Sequence, residues 1–170
     1  MNRYKRLIGF TLVEVLITVT LSFLLTGLGL VVYKDYYNRK IVKVVADNWA
    51  KELELIIKET DSGSVIRSED MGAGCQGTFL ATVVEVTAGS KDYSIYLKCS
   101  QANSNLISRS LETNDPAKVV VFGNSRSLEI LPLSKGVKDP VSFDICLQTD
   151  QGNQCYYQVR VKKSGVVNVE

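Results

Sequence analysis

Glu14 is the only charged side chain between Arg6 and Lys34 in a chain of 170 residues. Around it, Phe10 to Tyr33 reads FTLVEVLITVTLSFLLTGLGLVVY, without proline. A lone carboxylate inside such a run costs about 2.5 kcal/mol or more if it sits at a bilayer centre. It must therefore reach a headgroup boundary or find a cation. Elsewhere the reactive inventory is thin. Histidine is absent, which removes imidazole from both acid–base chemistry and metal ligation. No G-x-S-x-G, phosphate-loop or S-x-x-K signature occurs. Asp139, Asp144 and Asp150 could be arranged as calcium ligands, but their positions suit turns and solvated strand faces better. The expectation is a protein without enzymatic activity, catalytic residue, cofactor or bound metal.

The elements that carry these residues follow from hydrophobic patterning. At about 1.5 Å per residue, Phe10–Tyr33 makes a helix of roughly 36 Å, enough to cross a hydrocarbon core of about 30 Å. Arg3, Lys5 and Arg6 precede it, which places the N-terminus in the cytoplasm and the rest outside. Lys34, Arg39, Lys40 and Lys43 follow the span and weaken that charge argument. The first alanine is Ala46, so no A-x-A site follows the span as a secretory signal would require. Beyond it, Ile41, Val44, Val45, Trp49, Leu53, Ile56 and Ile57 recur at steps of three and four, the signature of an amphipathic helix. The first stop is Asp61-Ser62-Gly63-Ser64, so the pattern predicts one helix from about Phe10 to Thr60. Gly27 and Gly29 are its weak points, each costing about 1 kcal/mol relative to alanine.

Past residue 64 the period changes to that of strands. Phe79–Thr87 and Tyr93–Cys99 predict a first hairpin. Lys118–Phe122 and Ser127–Leu131 predict a second, turning at Gly123-Asn124-Ser125. Val141–Gln148 and Tyr156–Lys162 predict a third, with a short strand at Val166–Val169. The simplest assembly is one small antiparallel sheet against the outer half of the helix, an α+β fold. Four cysteines on the outer side of a membrane are expected to be oxidised. Cys146 and Cys155 lie nearly opposite across the third hairpin, which favours that pairing and leaves Cys75 with Cys99. Four cysteines allow three connectivities, and the sequence excludes none of them.

The stretch Gly9-Phe10-Thr11-Leu12-Val13-Glu14, after a short basic leader and ahead of an unbroken apolar run, resembles the processing site of type IV pilins and pseudopilins. The resemblance covers the leader and helix, about a third of the chain. It implies a leader over residues 1–9, cut between Gly9 and Phe10 by a prepilin peptidase, with N-methylation of Phe10. Glu14 would then be the fifth residue of the mature chain and would neutralise the new ammonium group of a neighbouring subunit. Residues 10–33 would form the membrane and filament-core half of the helix, 34–60 its amphipathic half, and 61–170 an extracytoplasmic β-rich domain. The implied partners are other pilin or pseudopilin subunits, the peptidase, the membrane and an inner-membrane assembly platform of a type IV pilus or type II secretion-like system. The chain would be single-pass in the membrane before it joins a filament, as a minor pilin or an H-type-like pseudopilin. One departure is Val31, which stands where many major pilins carry a helix-disturbing proline.

The closing segment VRVKKSGVVNV resembles the last hairpin of minor pilins and H-type pseudopilins, some of which bind DNA through a Gly-Arg-x-Arg motif. Here the matching stretch is Gly165-Val166-Val167-Asn168, with both arginines lost. Arg160, Lys162 and Lys163 could touch two or three phosphates, or simply cover a solvated hairpin. Lys and Arg number 20 against 18 Asp and Glu, so the chain is not built around a polyanion. Two rival functions stay open: a DNA- or surface-binding module at a pilus tip, and a single-span membrane protein with no filament role.

Overall fold

The computed structural model describes residues 11–62, 75, 77–103, 106–133 and 135–170. The leader, Gly9 and Phe10 lie outside the described residues. One helix, α1 (Leu12–Asp61), is followed by eight strands: β1 (Phe79–Val86), β2 (Asp92–Cys99), β3 (Ile107–Ser110), β4 (Val120–Phe122), β5 (Arg126–Ile130), β6 (Val141–Thr149), β7 (Gly152–Val161) and β8 (Val167–Val169). This is an α+β fold, with the strands in two antiparallel four-stranded sheets ordered β3-β2-β1-β5 and β4-β6-β7-β8. The chain divides into two units, residues up to Asn38 and the body Arg39–Glu170.

In the body, the amphipathic face of α1 buries Val42, Val45, Ala46, Trp49, Leu53, Ile56 and Ile57. Val44, expected on that face, is 37% exposed, and Val42 and Ala46 take the inward positions. Trp49 is the centre of the core. Its ring meets Tyr93, Phe122 and Phe143 edge-on at 4.4, 5.4 and 5.9 Å between centroids, an arrangement the aromatic quadrupole favours. At the end of α1 the buried Thr60 hydroxyl lies 2.8 Å from Ile56 O and 2.9 Å from the buried Thr82 hydroxyl on β1. That contact satisfies two polar groups that would otherwise be costly inside a core.

The first and third hairpins form, as β1–β2 and β6–β7. The second does not, and the expected single sheet becomes two for the same reason. β4 pairs with β6, and β5 pairs with β1. Gly123-Asn124-Ser125 therefore crosses between sheets instead of closing a turn. Asn124 donates to Ser142 O and accepts from Asp144 N–H on the β6 side. Ser125 Oγ accepts from Ala88 N–H at the β1–β2 turn, so successive residues are tied to opposite sheets. Gly123 is required here by close approach: a Cβ would fall on Cys146 Sγ and within 2.9 Å of Cys155 Sγ. The strand β3 was not expected from the sequence.

The disulfides join Cys75 to Cys99 and Cys146 to Cys155. The second links positions that face each other in the β6–β7 register. The first ties Cys75 to the end of β2.

One ion cluster joins the strands of the first sheet to the segment after β5. Glu129 on β5 accepts from Lys138, at 2.8 Å, and from Lys98 on β2. Lys138 first, then Lys98, holds the Glu129 carboxyl below its ordinary range. A carboxyl whose pKa is lowered on folding adds stability that is complete above the unfolded value of about 4.3. That stability is lost as pH falls through the folded pKa. Glu129→Gln is therefore expected to lower the melting temperature at neutral pH and to match wild type once the acid limb is passed. Parallel melting curves at both pH values check this; an equal deficit at every pH would contradict it.

Candidate functional site

The candidate site is the first half of α1 with its carboxylate. Among its large apolar side chains Leu12 is 81% exposed, Phe23 76% and Leu25 71%. In water such a face would be untenable; α1 is long and apolar enough over this stretch to cross a membrane. The polar side chains along it use their own backbone. Thr18, Thr20, Ser22 and Thr26 donate to carbonyls three or four residues back, at 2.7–2.9 Å. Each hydroxyl thereby enters an apolar environment already hydrogen-bonded, as a bilayer demands.

Glu14 lies in the first turn of α1. Its Oε2 accepts from Thr11 N–H and from Thr11 Oγ1, both at 3.0 Å, while Glu14 N–H donates to Thr11 Oγ1 at 3.3 Å. This is a reciprocal capping box, which satisfies helix N–H groups that have no intrahelical partner. A carboxylate at this end also complements the positive pole of the helix dipole. The Thr-x-x-Glu spacing that announces the box stands in the sequence; the role of Thr11 is what sequence reasoning missed. Among the described residues, Oε1 of Glu14 has no partner, so the same carboxylate can cap its own helix and still accept one more donor.

At the far end of the apolar stretch, Tyr33 and Tyr36 are 65% and 63% exposed, and Tyr33 stacks on Tyr37 with ring centroids 6.3 Å apart. Lys34, Arg39, Lys40 and Lys43 follow closely in sequence. Tyrosines flanked by bases are the composition of a headgroup boundary. From Leu12 to Tyr33 the helix is about 33 Å long, the thickness of a hydrocarbon core.

In the body, a cleft of about 430 Å³ is lined by Asn48, Trp49, Glu52, Tyr93, Arg109 and Glu112, among others. Arg109 Nη1 on β3 donates to Glu52 Oε1 on α1 at 2.7 Å. Burial first, and then Glu52, raises the Tyr93 phenol well above its ordinary value. The Arg109–Glu52 pair ties β3 to the helix beside this phenol. Arg160, Lys162 and Lys163 are all exposed, and Arg160 is engaged by Glu170 at 3.3 Å and by Gln158 Oε1 at 3.1 Å. Asp144 accepts from Gln158 at 2.8 Å. No group of three or more His, Cys, Asp or Glu able to hold a metal occurs among the described residues.

No protein-family model, curated protein or solved structure matches the chain.

Proposed function

We propose that the protein is a structural subunit of an extracytoplasmic filament, of the type IV pilin or pseudopilin kind, assembled through the first half of α1. The observation that carries this reading is the combination at the start of α1. A single carboxylate in the first turn, with one oxygen uncommitted among the described residues, heads a helix whose apolar face is otherwise bare. Cleavage between Gly9 and Phe10 would create an ammonium group one residue before Thr11. Its own helix pole repels it. Glu14 of an adjacent subunit offers the opposite charge, and the Thr11 cap holds that carboxylate facing the helix end. Moving such a helix from lipid into a bundle of like helices breaks no backbone hydrogen bond. The β-rich body would then face outward as a minor pilin or pseudopilin does, its disulfides suited to an oxidising exterior.

Filaments sheared from cells and pelleted should contain the protein, and cells lacking prepilin peptidase should retain it in the membrane fraction. Its absence from sheared filaments of peptidase-competent cells would overturn the reading. The capping box supports a second one: because it gives Glu14 a role within its own chain, a single-span membrane protein with no filament would also use this residue. Such a protein would remain in the membrane fraction whether or not the peptidase is present.

A further inference from the structure

Two turns of the body touch, the base of the first against the tip of the second. The loop after β5 is closed by Leu131 N–H donating to Gly136 O at 2.8 Å, and Val137 N–H donates to Lys163 O at 3.1 Å. Gly136 has φ +69, and a Cβ there would collide with Lys163 O. The second turn, between β7 and β8, is closed by Lys162 N–H to Val166 O at 2.9 Å and Gly165 N–H to Lys162 O at 2.8 Å. On these turns Leu133 is 73% and Val166 51% exposed, and Lys135, Lys162 and Lys163 are exposed beside them. Lys98, Lys138, Arg109 and Arg160 each have an acidic partner. Lys135, Lys162 and Lys163 have none among the described residues.

Leu133 adds a second kind of observation. Its φ of 62 makes it the one non-glycine residue in the left-handed region among the described residues. That region disfavours a side chain with a Cβ. Turn geometry alone would be served better by glycine, and solvent by a polar residue. A leucine there is disfavoured on both counts unless something apolar receives it.

We propose that this patch docks on a lipid surface bearing anionic headgroups, with Leu133 and Val166 entering the interface and Lys135, Lys162 and Lys163 contacting phosphates. Leu133 stands at the tip of its loop and Val166 beside the closing hydrogen bond of the second turn, both exposed, which suits a soft partner. Lysines that keep their ammonium groups at the polar boundary suit the same partner. Each lysine should contribute about fivefold in affinity near an anionic surface, and the leucine about tenfold or more. The proposal does not depend on filament assembly.

The test uses the full chain carried in phosphatidylcholine nanodiscs, mixed with vesicles and floated on a density gradient. The expected result is co-flotation with vesicles of phosphatidylglycerol and phosphatidylcholine, and none with phosphatidylcholine alone. Leu133→Gly should weaken co-flotation about tenfold, and joint replacement of Lys135, Lys162 and Lys163 by glutamine about a hundredfold. Leu133→Gly relieves the left-handed strain and should melt no lower than wild type, which separates lost docking from lost folding. Absence of co-flotation with anionic vesicles would overturn the proposal. So would binding that is indifferent to Leu133→Gly and matched by equal affinity for double-stranded DNA, because that outcome is a polyanion attraction with no lipid interface.

Discussion

Glu14→Ala is expected to reduce incorporation into sheared filaments about a hundredfold or more while leaving the body folded. Within an apolar bundle, removing one partner of an ion pair leaves the other charge buried and uncompensated, at a cost of about 3–5 kcal/mol. At 1.36 kcal/mol per factor of ten, that is about two to four orders of magnitude in an equilibrium. The loss of the capping box is a smaller component, about 1 kcal/mol. Glu14→Gln separates the two: its amide oxygen can still accept from Thr11, but it carries no charge for the ammonium group of Phe10. If charge pairing is what matters, Glu14→Gln should fail nearly as badly as Glu14→Ala. Quantitative immunoblotting of the filament fraction, normalised to total protein, reads the difference. Incorporation of Glu14→Ala at the wild-type level would remove the assembly role and leave only the cap.

Trp49→Ala should have the largest effect on stability, about 3–5 kcal/mol. Its ring is 1% exposed and meets Tyr93, Phe122 and Phe143 at once. These neighbours belong to β2, β4 and β6, so truncation opens a cavity where α1 meets both sheets. Trp49→Phe keeps much of the volume and should cost well under half as much. Because Trp49 is the sole tryptophan, far-UV circular dichroism of the full chain in micelles is the suitable melting probe. A Trp49→Ala deficit below about 1 kcal/mol would mean that the ring is not packed as described.

The elements that could be read from the sequence are those whose signal is local. The apolar run with one glutamate announces a helix, and the stop at Asp61 lies where the Asp-Ser-Gly-Ser cluster ends the periodic pattern. The first and third hairpins are bounded by glycine-containing turns and alternate well enough to be found. The second fails because KVVVF and SLEIL are as strand-like as any pair, and nothing in Gly-Asn-Ser says that Asn124 will bond to β6 while Ser125 bonds to the β1–β2 turn. Those are choices made by tertiary contacts. β3 is a short, largely exposed strand of mixed residues, ISRS, with no alternation to read. Its tie to α1 through Arg109 and Glu52 spans 57 residues of sequence, beyond any local pattern.

The candidate site divides in the same way. Glu14 stands out by its surroundings, and its partner Thr11 could have been found from the Thr-x-x-Glu spacing. Lys135 joins Lys162 and Lys163 only because two turns share a hydrogen bond, Val137 N–H to Lys163 O. Arg160, adjacent to those lysines in sequence, is instead drawn to Glu170.

The central claim is that the chain is processed as a prepilin, and mass spectrometry of the N-terminal peptide from protein isolated from its own cells tests it most directly. The account predicts a chain that begins at N-methylated Phe10. A chain that begins at Met1, in cells shown to process other prepilins, would contradict it and make Glu14 the cap of a plain membrane anchor.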